Sequence, residues 1–216
     1  MKILAVETTG KVFSVALNED GIATASFIYE RGHIHSEMIV PAIERILKDT
    51  GNTYKDIDKF AVSSGPGSFT GIRVGMTAVK TLGQTLKKPV VCVDALSILE
   101  KSFVVLKGVK LVAAIDALRD EVFVKSAKGI VIKNINDFIK ENKKYKNKIM
   151  VIGSGAEVYK EKLSKALGEF SVSLPHTFNI PKASVLADMA QFEKGGSYLK
   201  AEPLYIRKSW AEESKK

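Results

Sequence analysis

One string, Ser63-Ser64-Gly65-Pro66-Gly67-Ser68-Phe69-Thr70-Gly71-Ile72-Arg73-Val74-Gly75, limits the folds open to this chain more than any other feature. It follows the β-type apolar segment Phe60-Ala61-Val62 and opens a helix-type segment from Ile72 to Leu86. Between them Gly65, Pro66, Gly67 and Gly71 impose a backbone path that few other residues tolerate. Ser68 and Thr70 stand where the helix needs a cap. Such a turn aims several free backbone N–H groups at one point, which suits either an anion or a closely approaching partner. Both uses are open at this stage.

The 216 residues, 45% of them apolar, predict one large domain or two small ones with ample core. The single cysteine, Cys92, lies in Val90-Val91-Cys92-Val93 and reads as a buried small hydrophobe. No disulfide framework can form, which fits a reducing cytoplasm. The apolar run from Met1 to Val6 is too short for a signal peptide and reads as a first strand; no other segment is long enough to cross a membrane. Net charge is +9, yet only five of the 33 basic residues are arginine. Nucleic-acid readers lean on arginine for bidentate contacts, so the spread lysines read as a solvated surface. The densest cluster, Lys140 to Lys148, adds non-specific attraction for an RNA backbone.

Strand patterns recur at Val12 to Leu17 and Ile22 to Ile28, joined by Asn18-Glu19-Asp20-Gly21. A helix pattern follows from His35 or Ser36 to Asp49, with Pro41 expected to kink it or delay its start. After Val90 to Val93, Asp94 opens a helix from Ala95 to Ser102. The second half echoes the first: Ile3-Leu4-Ala5-Val6-Glu7 then Val12 to Val15 resembles Val112-Ala113-Ala114-Ile115-Asp116 then Glu121 to Val124. The echo predicts two lobes of related topology, divided as 1–105 and 106–216, with a helix near 184–195 packing back on the first. Between them come a strand near Ile130, helices at Asn136 to Asn142 and Ala156 to Leu167, and a strand at Ile149 to Ile152. A last strand is expected at Leu204 to Ile206.

An acid at a strand end beside small residues can hold magnesium-nucleotide phosphates in a two-lobed kinase-like fold. Glu7, Thr8 and Thr9 form one candidate site, Asp116 and Gly153 another; plain hairpin turns and close strand–helix packing explain them equally well. A P-loop is absent, because the glycine string offers Gly71-Ile72-Arg73 where that motif needs a lysine. The histidines, His33, His35 and His176, lack the four-residue spacing of a helical metal pair, so no metal is expected. Along the helix after the string, Gly71, Gly75, Ala78 and Gly83 form a small-residue side suited to close helix approach. That side serves either burial in the monomer or a subunit interface.

The order Ile3-Leu4-Ala5-Val6-Glu7-Thr8-Thr9, His35-Ser36-Glu37, the whole Ser64 to Gly75 string, Asp116 to Val124 and Pro203-Leu204-Tyr205-Ile206-Arg207 resembles the TsaB (YeaZ) family. The family was once classed with glycoproteases. The resemblance spans nearly the whole chain. It implies a two-lobed α/β fold of the actin/Hsp70-like, ribonuclease H-like type with a reduced second lobe. It also implies a non-catalytic scaffold for the related catalytic subunit TsaD, which carries threonylcarbamoyl to N6 of adenosine 37 in tRNAs reading ANN codons. A TsaE-type ATPase joins the assembly, tRNA is met through the complex, and the scaffold alone pairs with itself. No cofactor is implied, though the assembled interface leaves room for a nucleotide.

By the same resemblance, pairing runs through the helices at 36–49 and 72–86. The implied contact residues are His35, Met38, Ile39, Ala42, Ile46, Arg73, Gly75, Met76, Val79 and Leu82. Gly65, Pro66, Gly67, Ser68, Thr70 and Gly71 serve as a structural loop that sets the helix geometry. Bulk at Gly75 or Ala78 is then expected to disrupt pairing in a folded monomer. TsaD-like subunits carry two metal-binding histidines at positions that here hold Ala95 and Leu99, which cannot ligate a metal. Three rival readings stand beside the scaffold: a small nucleotide-dependent kinase or ATPase, a metalloprotease and an autonomous tRNA-binding module.

Overall fold

A computed structural model describes residues 1–30, 35–104 and 107–207. The chain divides into two compact units. The first comprises Met1–Ile98 with Lys182–Tyr205, the second Leu99–Pro181 with the chain from Ile206 onward. The division lies at 98/99 rather than 105/106, and 182–205 return to the first unit because α7 (Ala183–Ala190) buries its apolar side there.

The first unit is built on a five-stranded sheet ordered β3-β2-β1-β4-β5. Its strands are β1 (Lys2–Glu7), β2 (Phe13–Glu19), β3 (Ile22–Tyr29), β4 (Lys59–Ser63) and β5 (Val90–Val93). The meander β1-β2-β3 is antiparallel, whereas β4 and β5 run parallel to β1. Side chains of β1 alternate between faces, as the pleat requires. Leu4 and Val6 enter a core with α1 (His35–Asp49) and α2 (Phe69–Leu86), through Ile39, Ile43, Met76 and Val79. Ile3 and Ala5 face the opposite core, with Leu186, Ala187 and Ile98 of α3 (Ala95–Lys101). Because the central strands are covered on both sides, they read as unbroken apolar runs.

The second unit repeats the plan with one strand fewer, in the order β8-β7-β6-β9. Here β6 (Lys110–Asp116), β7 (Glu121–Ser126) and β8 (Gly129–Asn134) form the meander, and β9 (Ile149–Ile152) runs parallel to β6. Strand by strand, β6, β7, β8 and β9 stand to one another as β1, β2, β3 and β4 do, the topological echo that the two acid-ended hairpins predict. Helices α4 (Ile135–Asn142), α5 (Ser154–Val158) and α6 (Lys160–Leu167) supply its core. This repeated mixed sheet is the actin/Hsp70-like α/β fold.

Several expectations are corrected. Helix α1 starts at His35 and continues past Pro41, so the proline does not delay its start. The helix expected from Ala156 to Leu167 is two helices, broken at Tyr159 (φ −105°, ψ 22°). No strand forms at Leu204 to Ile206; instead Leu204 N donates to Ser64 O (2.7 Å). Cys92 is exposed on edge strand β5 rather than buried. Lys59 is buried, and its Nζ donates to the carbonyls of Ala190 (3.0 Å) and Glu193, beyond the last turn of α7. There its charge meets the negative end of a helix. No helix among the described residues is long and apolar enough to cross a membrane.

Candidate functional site

The glycine string closes over the end of β1. Ser68 caps α2, its Oγ accepting from Gly71 N at 3.2 Å, while Thr70 lies inside the helix and is exposed. Ser68 N donates to Thr9 O (2.8 Å), and Thr8 Oγ1 donates to Gly71 O (2.7 Å). A Cβ built at Gly67 would overlap the Thr9 carbonyl, one at Gly71 the Thr8 carbonyl, and one at Gly75 the Thr8 hydroxyl. Gly65 (φ 109°) adds a left-handed turn, beside a cis bond to Pro66. The glycines therefore admit the chain's own backbone. Of the two uses left open, an anion or a close partner, the loop serves a third: an intramolecular clamp.

Glu7 is sealed beneath this clamp, at 0% exposure. Its Oε1 accepts from Thr9 N (2.5 Å) and Thr9 Oγ1 (2.7 Å). Its Oε2 has no hydrogen-bond partner, nor has the buried hydroxyl of Ser63 on the adjacent strand. Burial pushes the Glu7 carboxyl up from 4.5 to about 7, against the smaller opposing pull of its Thr9 contacts. The acid is thus committed to the protein interior.

Asp116 and Gly153 belong to the second unit. Asp116 Oδ1 accepts from Leu118 N (3.0 Å) and the Tyr159 hydroxyl (3.1 Å), and Asp116 N donates to Ser154 Oγ (3.0 Å). At Gly153 a Cβ would approach Ala114 O to 2.5 Å, which is close strand–helix packing. Glu7, Thr8 and Thr9 are therefore brought together in one unit, while Asp116 and Gly153 are used locally in the other.

Most of the expected contact residues on α1 and α2 are core. Ile39, Ala42, Ile46, Met76 and Val79 are at most 3% exposed, and Gly75 is packed on Thr8. They face β1, β2 and β4, so they cannot form a surface in the folded monomer. Bulk at Gly75 accordingly breaks the monomer rather than sparing it. The side chain of His35 lies outside the described residues. What remains for a partner is the neighbouring stripe Val74, Ala78 and Leu82 with Met38, all half-buried, and Val40, which is exposed. Val74, Ala78 and Leu82 recur every four residues, one helical face; the sequence supplies that period, but not which of two adjacent faces turns inward. Arg73 is exposed at the edge of this stripe, its guanidinium 5.8 Å from the Phe69 ring and 5.5 Å from that of Tyr205, with Nε donating to the Tyr205 hydroxyl (2.9 Å). The tail motif Pro203 to Arg207 gains its structural role here, which the sequence alone does not assign.

Ala95 and Leu99, where the TsaD histidine pair is expected, are both fully buried apolar side chains. The residues present do not fit a metal. The profile of the family TsaD, tRNA N6-adenosine threonylcarbamoyltransferase, matches residues 30–198.

The chain belongs to the TsaD family.

TsaB proteins are among the relatives it matches over nearly its full length. It is 27% identical to the tRNA threonylcarbamoyladenosine biosynthesis protein TsaB of Bacillus subtilis, over 98% of this chain and 96% of the relative. The TsaB protein of Haemophilus influenzae is 28% identical, over 96% of this chain and 94% of the relative. Among solved structures, YeaZ from Pseudomonas aeruginosa superposes with a TM-score of 0.72 at 25% identity, covering 94% of this chain and 99% of that one.

Proposed function

We propose that this chain is a non-catalytic, cytoplasmic scaffold in the threonylcarbamoylation of N6 of adenosine 37 in tRNAs reading ANN codons. It pairs with a TsaD-type catalytic subunit through the outer stripe of α1 and α2, is joined by a TsaE-type ATPase, and pairs with itself when alone. The observation that carries this reading is the filling of the metal-ligand positions by buried Ala95 and Leu99, together with an acid, Glu7, sealed away from solvent. All three side chains serve packing rather than an open site. The chain needs no cofactor of its own, and a nucleotide belongs, if anywhere, at the assembled interface.

Val74, Ala78, Leu82 and Met38 offer a small, shallow apolar face against which another helix can approach closely. Ala78→Asp places a charge in its centre. The expected result is loss of co-purification with the TsaD-type subunit while the circular-dichroism melt of the variant alone shifts by no more than a few degrees. Retained pairing by a folded Ala78→Asp protein would refute this interface. Calorimetry of the isolated chain with magnesium-ATP should show no tight binding and no turnover; either would return the enzyme reading.

A further inference from the structure

The positive charge of this chain is unevenly placed. The first unit holds 14 basic and 13 acidic residues, whereas residues 99–181 of the second hold 15 and 9. Segment 140–148 concentrates the excess, with Lys140, Lys143, Lys144, Lys146 and Lys148 all exposed and one acid, Glu141, between them. Glu141 is paired to Lys133 on β8. Among the described residues, none of the five lysines has a carboxylate within salt-bridge distance.

The segment is held in a fixed frame. A 3₁₀ turn spans Lys143–Tyr145, Lys148 N donates to Tyr145 O (2.8 Å), and Asn147, at φ 63°, donates to Leu167 O (2.9 Å). Buried Asn142 bonds Phe138 O (2.9 Å) and accepts from Lys110 Nζ (2.8 Å). Lys110 and Lys144 lie 4.2 and 5.2 Å from the Tyr145 ring, which anchors it between two cations. The turn thus presents a ridge of ammonium groups whose mutual repulsion no carboxylate of the described residues relieves by an ion pair.

We infer that this lysine ridge is a docking surface for the phosphodiester backbone of structured RNA, engaged without base readout. The inference rests on the proposed function for the choice of RNA, and on charge complementarity for the site. Lysine suits it, because a point charge on a flexible stem follows a backbone without demanding a bidentate geometry. An anionic membrane fits less well, because segment 140–148 itself carries no exposed large apolar side chain to insert.

The test compares the full chain with the quadruple variant Lys143→Gln, Lys144→Gln, Lys146→Gln, Lys148→Gln. Binding of a tRNA transcript is followed by fluorescence anisotropy between about 50 and about 200 mM salt. The expected result is at least a tenfold (~10-fold) loss of affinity at the lower salt and a salt slope smaller by about 3. The variant Lys55→Gln, Lys87→Gln, Lys88→Gln, on the first unit, should leave both unchanged. An unchanged slope in the quadruple variant overturns the inference, as does equal binding of the wild type to phosphatidylglycerol vesicles. Co-purification with the TsaD-type subunit is scored in parallel. Failure of the wild type there removes the proposed function, whereas pairing with an unaltered slope removes only the ridge.

Discussion

Two turns at equivalent places in the two sheets have opposite characters. After β1, the acid Glu7 and the threonines Thr8 and Thr9 are buried, and glycines of the Ser63 to Gly75 string press on them from outside. After β6, Asp116 is half-exposed and the next turn carries Leu118, Arg119 and Asp120, all in the left-handed region at φ 61°, 56° and 58°. The string that covers the first turn lacks side chains at Gly67, Gly71 and Gly75, where it meets Thr8 and Thr9. The second turn has kept its side chains, at a conformational cost of roughly 1–2 kcal/mol per residue. One topology therefore yields a sealed joint in one unit and an open, strained turn in the other. The difference lies in what covers the turn, not in the strand order.

That comparison is sharpest where a side chain is added or removed. Gly71→Val drives a Cβ into the Thr8 carbonyl and should destabilise the protein by about 4 kcal/mol, read as a lowered urea midpoint. A loss under about 1 kcal/mol would mean that the clamp can slide.

Glu7→Gln probes the sealed acid. A carboxyl raised from 4.5 to about 7 in the fold holds its proton where the unfolded chain has released it. Wild-type stability should therefore be full below about pH 4.5 and fall until about pH 7, by about 3 kcal/mol, then level off. The glutamine variant should lack this decline and be the more stable protein above pH 7. Denaturation at several pH values decides, and parallel curves for the two proteins would show that Glu7 is solvated.

In the second turn the effects are smaller. Tyr159→Phe removes the hydroxyl donated to Asp116, at a cost of about 1 kcal/mol. Burial, followed by the neighbouring Asp116 and Asp120 carboxylates, pushes that phenol up to about 12, so spectrophotometric titration should reveal its ionisation well above the ordinary 10. Leu118→Gly relieves a left-handed leucine that is 64% exposed and should stabilise by about 0.5 kcal/mol. The signs are opposed: glycine removed from the string over the first turn is ruinous, and glycine added to the second turn is beneficial.

Much of this was legible in the residues. The strand–loop–helix reading of Phe60 to Leu86, the Ser68 cap and the paired hairpins all follow from local chemistry. The interface residues were less legible, because α2 is apolar on more than one face. Met76 and Val79 point into the sheet while Val74, Ala78 and Leu82 lie one step round the helix, and periodicity alone does not order adjacent faces. Lys59 and Cys92 exchange their expected environments for a similar reason: a helix C-terminus folds over the lysine, and an edge position exposes the cysteine.

Residue type, order and spacing suffice for the two-sheet α/β plan and the family resemblance. Only the tertiary structure decided what the glycine string touches. Thr8 and Thr9 lie some sixty residues before it in the chain, and a missing Cβ shows that something comes close without showing what. Contact between such distant segments is set by the packing of α2 across β1. That packing made the string a clamp over Glu7 and left the neighbouring helix stripe only half-buried.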